Sequence, residues 1–229
     1  MLERILDYER AAFFLLNGSD SPFWDRFMWL YSGKSVWLPL AFLIGIILVY
    51  KKNWHEVFLI LLAIVLVITL CDQFASHFCK PFFSRFRPTH HPAFMNQVKI
   101  VFDYRGGDYG FISSHAANAF GFATFMSLLF RYRVFTGGIF LWAVCSAYSR
   151  IYLGVHFISD VICGAFIGLL FGYGIYVFYV WIRKQLLGTT LPPPSSLYSL
   201  RQKQIITLGI FVTILIVLIF NYPLIAILH

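Results

Sequence analysis

Three short polar segments interrupt this apolar chain, and their residue types are suited to chemistry on an anion. Lys80 and Arg87 lie in the first segment and Arg150 in the third, so three side chains carry positive charge. The planar guanidinium groups of arginine match the oxygen atoms of a phosphate. The same charges would repel a metal cation, so we expect no metal ion. A phosphate group is the predicted ligand.

The second polar segment, Ser113-Ser114-His115, lies near the start of an apolar run. The start of a helix presents unpaired backbone N–H groups and the positive end of the helix dipole, and both favour an anion. We therefore include Ser113 and Ser114 in the predicted phosphate site.

The third segment also contains His156 and Asp160, four residues apart. On a helix this spacing puts both side chains on one face. The carboxylate would then bind one imidazole nitrogen and leave the other free to attack phosphorus. We predict that His156 is the nucleophile, that Asp160 orients it, and that His115 protonates the departing oxygen. Taken singly, a membrane histidine can instead bond between helices, and a His/Asp pair can ligate a metal.

Other polar residues near these segments lead to less specific expectations. Arg85 either contacts a lipid head group or lies exposed in a loop. Asp72 is expected to pair with a cation. Asp103, Arg105 and Asp108 are expected in a polar turn over the pocket.

Composition indicates that membrane helices position these segments. The chain has 229 residues, of which 59% are hydrophobic and 12% charged, and its mean hydropathy is +0.75. A soluble domain carries about twice that charged fraction. A soluble enzyme, a nucleic-acid-binding module and a disordered chain are therefore excluded, although the net charge is +8.

Six runs without Asp, Glu, Lys or Arg predict an all-α bundle of about six transmembrane helices, as a single domain over 1–229. We expect 1–22 to form an interfacial helix, 77–112 an active-site loop outside the membrane, and 184–203 a linker to the last helix. The six runs are 35–50, 57–71, 109–130, 134–149, 161–182 and 204–229.

Six crossings bring both termini and all three polar segments to one face of the membrane. Basic residues are denser in the short loops of the other face, which the positive-inside rule assigns to the cytoplasm. We therefore expect a protein of the bacterial inner membrane whose active site faces the periplasm.

Together, the segments resemble the signature of the type 2 phosphatidic acid phosphatase (PAP2) superfamily, over about residues 54–180. They read K-x6-R-P, S-x-H and S-R-x5-H-x3-D, although Ile112 and Ser114 stand where the family usually has Pro and Gly. The resemblance implies a metal-independent lipid phosphatase without cofactors. It further implies a phosphohistidine at His156, with phosphate bound by Lys80, Arg87, Arg150, Ser113 and the Ser114 amide.

The expected function is hydrolysis of a terminal phosphate from a membrane lipid, with undecaprenyl diphosphate as the first choice. Lipid A and phosphatidylglycerol phosphate are alternative substrates, and transfer of the phosphate to a second lipid is an alternative reaction. A non-catalytic phospholipid transporter or binding protein is the alternative of another class. The lipid bilayer and the lipid substrate are the expected partners.

Overall fold

The protein is an all-α bundle, as predicted. A computed structural model describes residues 2–188 and 192–228, with side chains from Tyr8 onward, and these ranges contain no β-strand. The predicted interfacial helix, linker and last run each include residues outside these ranges, namely Met1, 189–191 and His229. The helices are Leu2–Leu16 (α1), Pro22–Ser32 (α2), Leu38–Val49 (α3), Trp54–Gln73 (α4), Lys80–Phe83 (α5), Ser114–Phe130 (α6), Arg133–Tyr152 (α7), Ile158–Leu187 (α8), Leu200–Ile219 (α9) and Asn221–Leu228 (α10).

Within the described ranges, four helices are long and apolar enough to cross a membrane: Trp54–Phe83, α7, α8 and α9. Helix α2 and the segment Ser35–Val49 form a fifth membrane span if they cross together. They are bent by 67° at the break between them. The predicted count of six differs because α6 begins only at Ser114 and has 17 residues, about 26 Å at 1.5 Å per residue. Many large apolar side chains point outward from the bundle, as lipid contact requires, including Phe42, Phe58, Phe166 and Leu208.

Three predicted boundaries were wrong. The linker is shorter than the predicted 184–203, because α8 continues to Leu187 and α9 begins at Leu200. Helix α4 does not end near position 77 but continues through a π-helical turn, Phe74–Cys79, into α5, so the active-site loop starts at Ser84. The last run is not one helix, because α9 ends at Ile219 and α10 starts at Asn221. Helix α10 then lies against α2, where Arg26 donates to Asn221 Oδ1 at 3.0 Å.

A row of glycines brings α8 into backbone contact with α6. Gly164, Gly168 and Gly172 recur every four residues and therefore lie on one face of α8. A Cβ atom at Gly168 would lie 2.3 Å from the carbonyl oxygen of Ala117, and one at Gly172 would lie 2.4 Å from that of Gly121. Small residues allow this close approach, as in other membrane helix pairs. The contact fixes the start of α6 beside the start of α8, where the polar segments meet.

A buried ion pair joins α4 to α8 near the other end of the bundle. Arg183 Nε donates to both carboxylate oxygens of Glu56, at 2.8 and 2.9 Å, and the Tyr179 hydroxyl donates to the same carboxylate at 2.6 Å. Both charged residues are 4% exposed. A buried charge needs such a partner because leaving it unpaired is costly.

Candidate active site

His156 precedes α8 instead of lying within it. The helix starts at Ile158, and Asp160 is in its first turn, where Oδ2 accepts the backbone N–H of Phe157 at 2.9 Å. The prediction that a helix holds both residues on one face was therefore wrong. The turn before the helix brings them together all the same, with His156 Nδ1 3.5 Å from Asp160 Oδ2.

Arg87 contacts the other imidazole nitrogen. Its Nη1 lies 3.2 Å from His156 Nε2 and donates to the carbonyl of Val155 at 3.2 Å, while Nε donates to the carbonyl of Tyr109 at 3.1 Å. Since arginine can only donate, this contact gives Nε2 the acceptor role and leaves the imidazole proton on Nδ1, which is 3.5 Å from Asp160 Oδ2 and makes no hydrogen bond within the described ranges. Nε2 therefore carries the free electron pair that a nucleophile needs.

The surroundings of His156 keep it uncharged. The residue is 1% exposed, and burial lowers its pKa well below the usual 6.5, with the positive charges of Arg87, Arg150 and Lys80 acting in the same direction. Burial and then Arg150 also lower the pKa of Arg87, since like charges repel. A pocket whose cations repel one another favours binding of an anion.

Arg85 lies inside the candidate site, which the sequence did not predict. It is 3% exposed, not exposed in a loop, and its Nη1 donates to Asp160 Oδ1 at 2.7 Å. Its Nη2 lies 2.5 Å from Glu9 Oε1 of α1. Glu9 Oε2 in turn accepts the backbone N–H of Ser159 at 2.8 Å. Asp160 is thus held by a buried arginine, and that arginine by a carboxylate from the N-terminal helix.

Arg150 lies at the end of α7 and is 3% exposed. Its guanidinium donates to the Ser32 hydroxyl and, at 2.9 Å, to the Tyr104 hydroxyl, and it lies 5.4 Å from the centre of the Tyr104 ring. Tyr104 comes from the active-site loop, so this loop fixes a cation that the sequence assigned to the phosphate site.

The remaining predicted residues lie at the ends of α5 and α6. Lys80 Nζ donates to the Ser76 hydroxyl at 3.1 Å. Ser113 caps α6, accepting the N–H of Ala116 at 3.4 Å, and its own N–H donates to the backbone carbonyl of Asp160 at 3.0 Å. Ser114 is the first residue of α6. The three segments therefore meet at the start of α6 and α8.

Two cavities adjoin His115. One, of about 320 Å³, extends along α4 and α6, and the other, of about 390 Å³, is lined by Arg150 and Tyr104. His115 lines both, together with Ser32, Gly33 and Lys34 at the bend between α2 and α3. A phosphate reaching His156 Nε2 must displace the contact from Arg87.

The loop 84–113 covers the end of the bundle where α6 and α8 begin. Its two arms pair where Arg87 N–H donates to the carbonyl of Asp108 and Gly110 N–H to that of Arg85, each at 2.9 Å. Gly106, with φ of +71°, packs so closely that a Cβ atom there would lie 3.0 Å from Arg87 Nη1. Of the polar turn expected over the pocket, Gly106 and the Asp108 carbonyl thus contact Arg87. In the described ranges, no group of three or more His, Cys, Asp or Glu side chains could hold a metal ion.

Residues 58–184 match the PAP2 superfamily. The lipid A 4'-phosphatase of Porphyromonas gingivalis is 44% identical to this chain over 199 residues, which cover 86% of this chain and 84% of that protein. The lipid A 4'-phosphatase of Bacteroides thetaiotaomicron is 37% identical over 208 residues, covering 90% of this chain and 91% of that protein.

Two solved structures have the same arrangement of helices. Aquifex aeolicus LpxE superposes with a TM-score of 0.55 at 30% identity, over 73% of this chain and 94% of that one. A PAP2 type phosphatidylglycerolphosphate phosphatase from Bacillus subtilis gives a TM-score of 0.58 at 22% identity, over 78% of this chain and 88% of that one. The second likeness shows the fold alone.

Proposed function

Because the chain belongs to the PAP2 superfamily and is a multi-pass membrane lipid phosphatase, we propose that it removes the 4'-phosphate of lipid A. Two relatives with this activity in their names carry the proposal, since each aligns over more than four fifths of the chain. Lipid A is one of the substrates that the sequence left open. It replaces undecaprenyl diphosphate as the first choice.

In the proposed reaction, phosphate oxygens bind Lys80, Arg87, Arg150 and the N–H groups at the start of α6. Attack by His156 Nε2 forms a nitrogen–phosphorus bond while the bond from phosphorus to the sugar oxygen breaks. His115 gives that oxygen a proton, so it leaves as a hydroxyl group. A proton on His115 is favoured once the phosphate brings negative charge into a site otherwise crowded with cations.

The second step releases the enzyme. His115, now neutral, takes a proton from a water molecule whose oxygen attacks the phosphohistidine. The nitrogen–phosphorus bond breaks, and inorganic phosphate departs. Positioning and fixed positive charge supply most of the rate in both steps.

The proposal is tested by measuring phosphate release from hexa-acylated lipid A, phosphatidic acid, phosphatidylglycerol phosphate and undecaprenyl diphosphate, with purified protein in detergent micelles. We expect the highest kcat/KM with lipid A and, by mass spectrometry, a product that keeps its 1-phosphate. His156→Gln should lower kcat at least about 10³-fold, as loss of a nucleophile does. A clear preference for undecaprenyl diphosphate would overturn the substrate assignment.

We also propose that the site faces the periplasm of the inner membrane. Asn96 is exposed in the active-site loop and Gln185 is exposed near the end of α8, so each can carry a cysteine label. A membrane-impermeant maleimide should label Asn96→Cys but not Gln185→Cys in spheroplasts, and both after lysis. The reverse pattern would refute the orientation.

A further inference from the structure

The cavity of about 320 Å³ beside His115 is lined by a carboxylate and a carboxamide that the proposed reaction does not use, Asp72 of α4 and Asn118 of α6. The other polar side chains of its lining include Ser32, Lys34, Ser114 and Ser146. Asn118 follows His115 by three residues, so the two side chains lie on the same face of α6. His115 lines both cavities, whereas Arg150 lines only the other one. With the phosphate at Arg150, a group that receives a proton from His115 would have its attached atoms in the cavity of Asp72 and Asn118.

Asp72 lies inside the helix Trp54–Phe83, whose composition is that of a membrane span. The expected ion pair was wrong, because Asp72 makes no hydrogen bond or ion pair within the described part of the chain. Lys80 attracts its charge but binds Ser76 instead. Ionisable groups within membrane helices are costly and usually serve function.

Asn118 also has an atom without a hydrogen-bond partner among the described residues. Its Oδ1 is buried and has no hydrogen-bond partner. An unpaired buried polar atom costs free energy that a bound donor would recover. Two hydrogen-bond acceptors therefore border one cavity, each without a donor.

We propose that Asp72 and Asn118 bind hydroxyl and amide N–H groups of the leaving group, which makes this cavity a site for an N-acylated sugar. The inference rests on the proposed function and deepens it. A carboxylate and an amide oxygen accept hydrogen bonds, so they select a leaving group that donates them. An acylated glucosamine has such donors in addition to its leaving oxygen, whereas a diacylglycerol or a polyprenyl chain has none apart from that oxygen.

An apolar groove extends the same cavity toward the middle of the bundle. It measures about 350 Å³ and shares Trp37, Phe122 and Trp142 with the Asp72 cavity. The rest of its lining is aliphatic, including Leu40, Ile44 and Ile64. A sugar bound at Asp72 would direct an attached acyl chain into this groove.

The test compares kcat/KM for lipid A and for phosphatidic acid in Asp72→Leu and Asn118→Leu, which remove each acceptor at similar volume. We expect a loss of about 10- to 100-fold with lipid A, the range that corresponds to losing a single hydrogen bond to a charged or buried polar group. With phosphatidic acid the values should stay within about twofold, which also shows that the variants fold. Asp20→Leu is the matched control, because Asp20 is exposed between α1 and α2.

The results that would overturn the sugar site differ from the result that would overturn the proposed function. Equal losses with both lipids would mean that Asp72 acts through Lys80 on the phosphate, and unchanged values with both would mean that the acceptors bind nothing. Either result overturns the sugar site while leaving the proposed function intact. A wild-type protein that prefers undecaprenyl diphosphate to lipid A overturns the proposed function, and the sugar site with it.

Discussion

The guanidinium of Arg85 lies 2.7 Å from the carboxylate of Asp160, closer than the imidazole of His156 at 3.5 Å. The carboxylate that is predicted to orient the nucleophile is itself held by a cation. That cation also binds Glu9, so the geometry of His156 depends on a buried chain of charges that reaches α1.

Replacement of Arg85 should therefore affect both stability and rate. Arg85→Leu removes the only cation bonded to the buried Asp160 and the half-buried Glu9 in the described part of the chain, which costs about 3–5 kcal/mol. We expect a lower Tm in detergent and, in the protein that remains folded, a fall in kcat of about 10²-fold with little change in KM, because a misplaced reacting group costs about that much. Equal kcat in variant and wild type would show that Asp160 needs no support from Arg85.

Glu9→Gln is a more conservative change, at the far end of the series of ion pairs that joins Asp160, Arg85 and Glu9. The amide keeps the size and one acceptor, so we expect a loss of about 1–2 kcal/mol, in line with a hydrogen bond to a charged group. Asp20→Asn serves as the control, since Asp20 is exposed. Similar Tm values for the two variants would contradict a role for α1 in the site.

The glycine contact between α6 and α8 can be tested with a single methyl group. Gly168→Ala places a Cβ atom 2.3 Å from the carbonyl oxygen of Ala117, so the helices must separate and the protein should lose about 1–3 kcal/mol. Gly174→Ala on the same helix meets nothing within 4 Å and should be neutral or stabilising. Thermal unfolding in one detergent compares the pair, and a Gly168→Ala variant as stable as Gly174→Ala would refute the contact.

His156 should make the phosphate-free protein less stable in acid. Its pKa is lowered on folding, mainly by burial and then by Arg87 and Arg150, so below about pH 6.5 the unfolded chain binds the extra proton. Stability then falls as the pH drops, by up to about 1.4 kcal/mol per pH unit. His156→Asn should show a shallower decline between pH 7 and 5. Parallel curves for the two proteins would mean that folding does not lower this pKa.

The ion pair at the far end of the bundle should contribute to stability without contributing to catalysis. Arg183→Met leaves the buried Glu56 carboxylate without its cation, with the Tyr179 hydroxyl still donating to it, and should cost about 3–5 kcal/mol. Adding Glu56→Gln should restore much of this loss, while kcat below the unfolding temperature stays at the wild-type value throughout. A tenfold drop in kcat for the double variant would link the two ends of the bundle.

The parts of the site that lie at the ends of helices could be predicted, because the ends of apolar runs in the sequence mark them. Ser113 caps α6 because a serine before an apolar run is a local signal. Arg150 lies at the end of α7 for an equally local reason, since the apolar run stops there.

Contacts between distant residues could not be predicted in this way. Arg85 and Glu9 are 76 residues apart, and nothing local distinguishes Glu9 from the other acids of α1. The expectation that Asp72 pairs with a cation was wrong because Lys80, eight residues further along a nearly continuous helix, donates to the Ser76 hydroxyl instead. The break before α10 had a local signal in Pro223, which a helix tolerates only in its first turn.

Because α6 and α8 are in backbone contact, substitutions in different parts of this protein have different effects on its structure. Because backbone meets backbone there, the groups proposed to bind phosphate at the starts of α6 and α8 have little room to shift relative to one another. The walls formed by α2, α3 and α4 are built from side chains and can vary one by one. A lipid head group that contacts those walls would therefore meet side chains that single substitutions can change, while the starts of α6 and α8 stay in place.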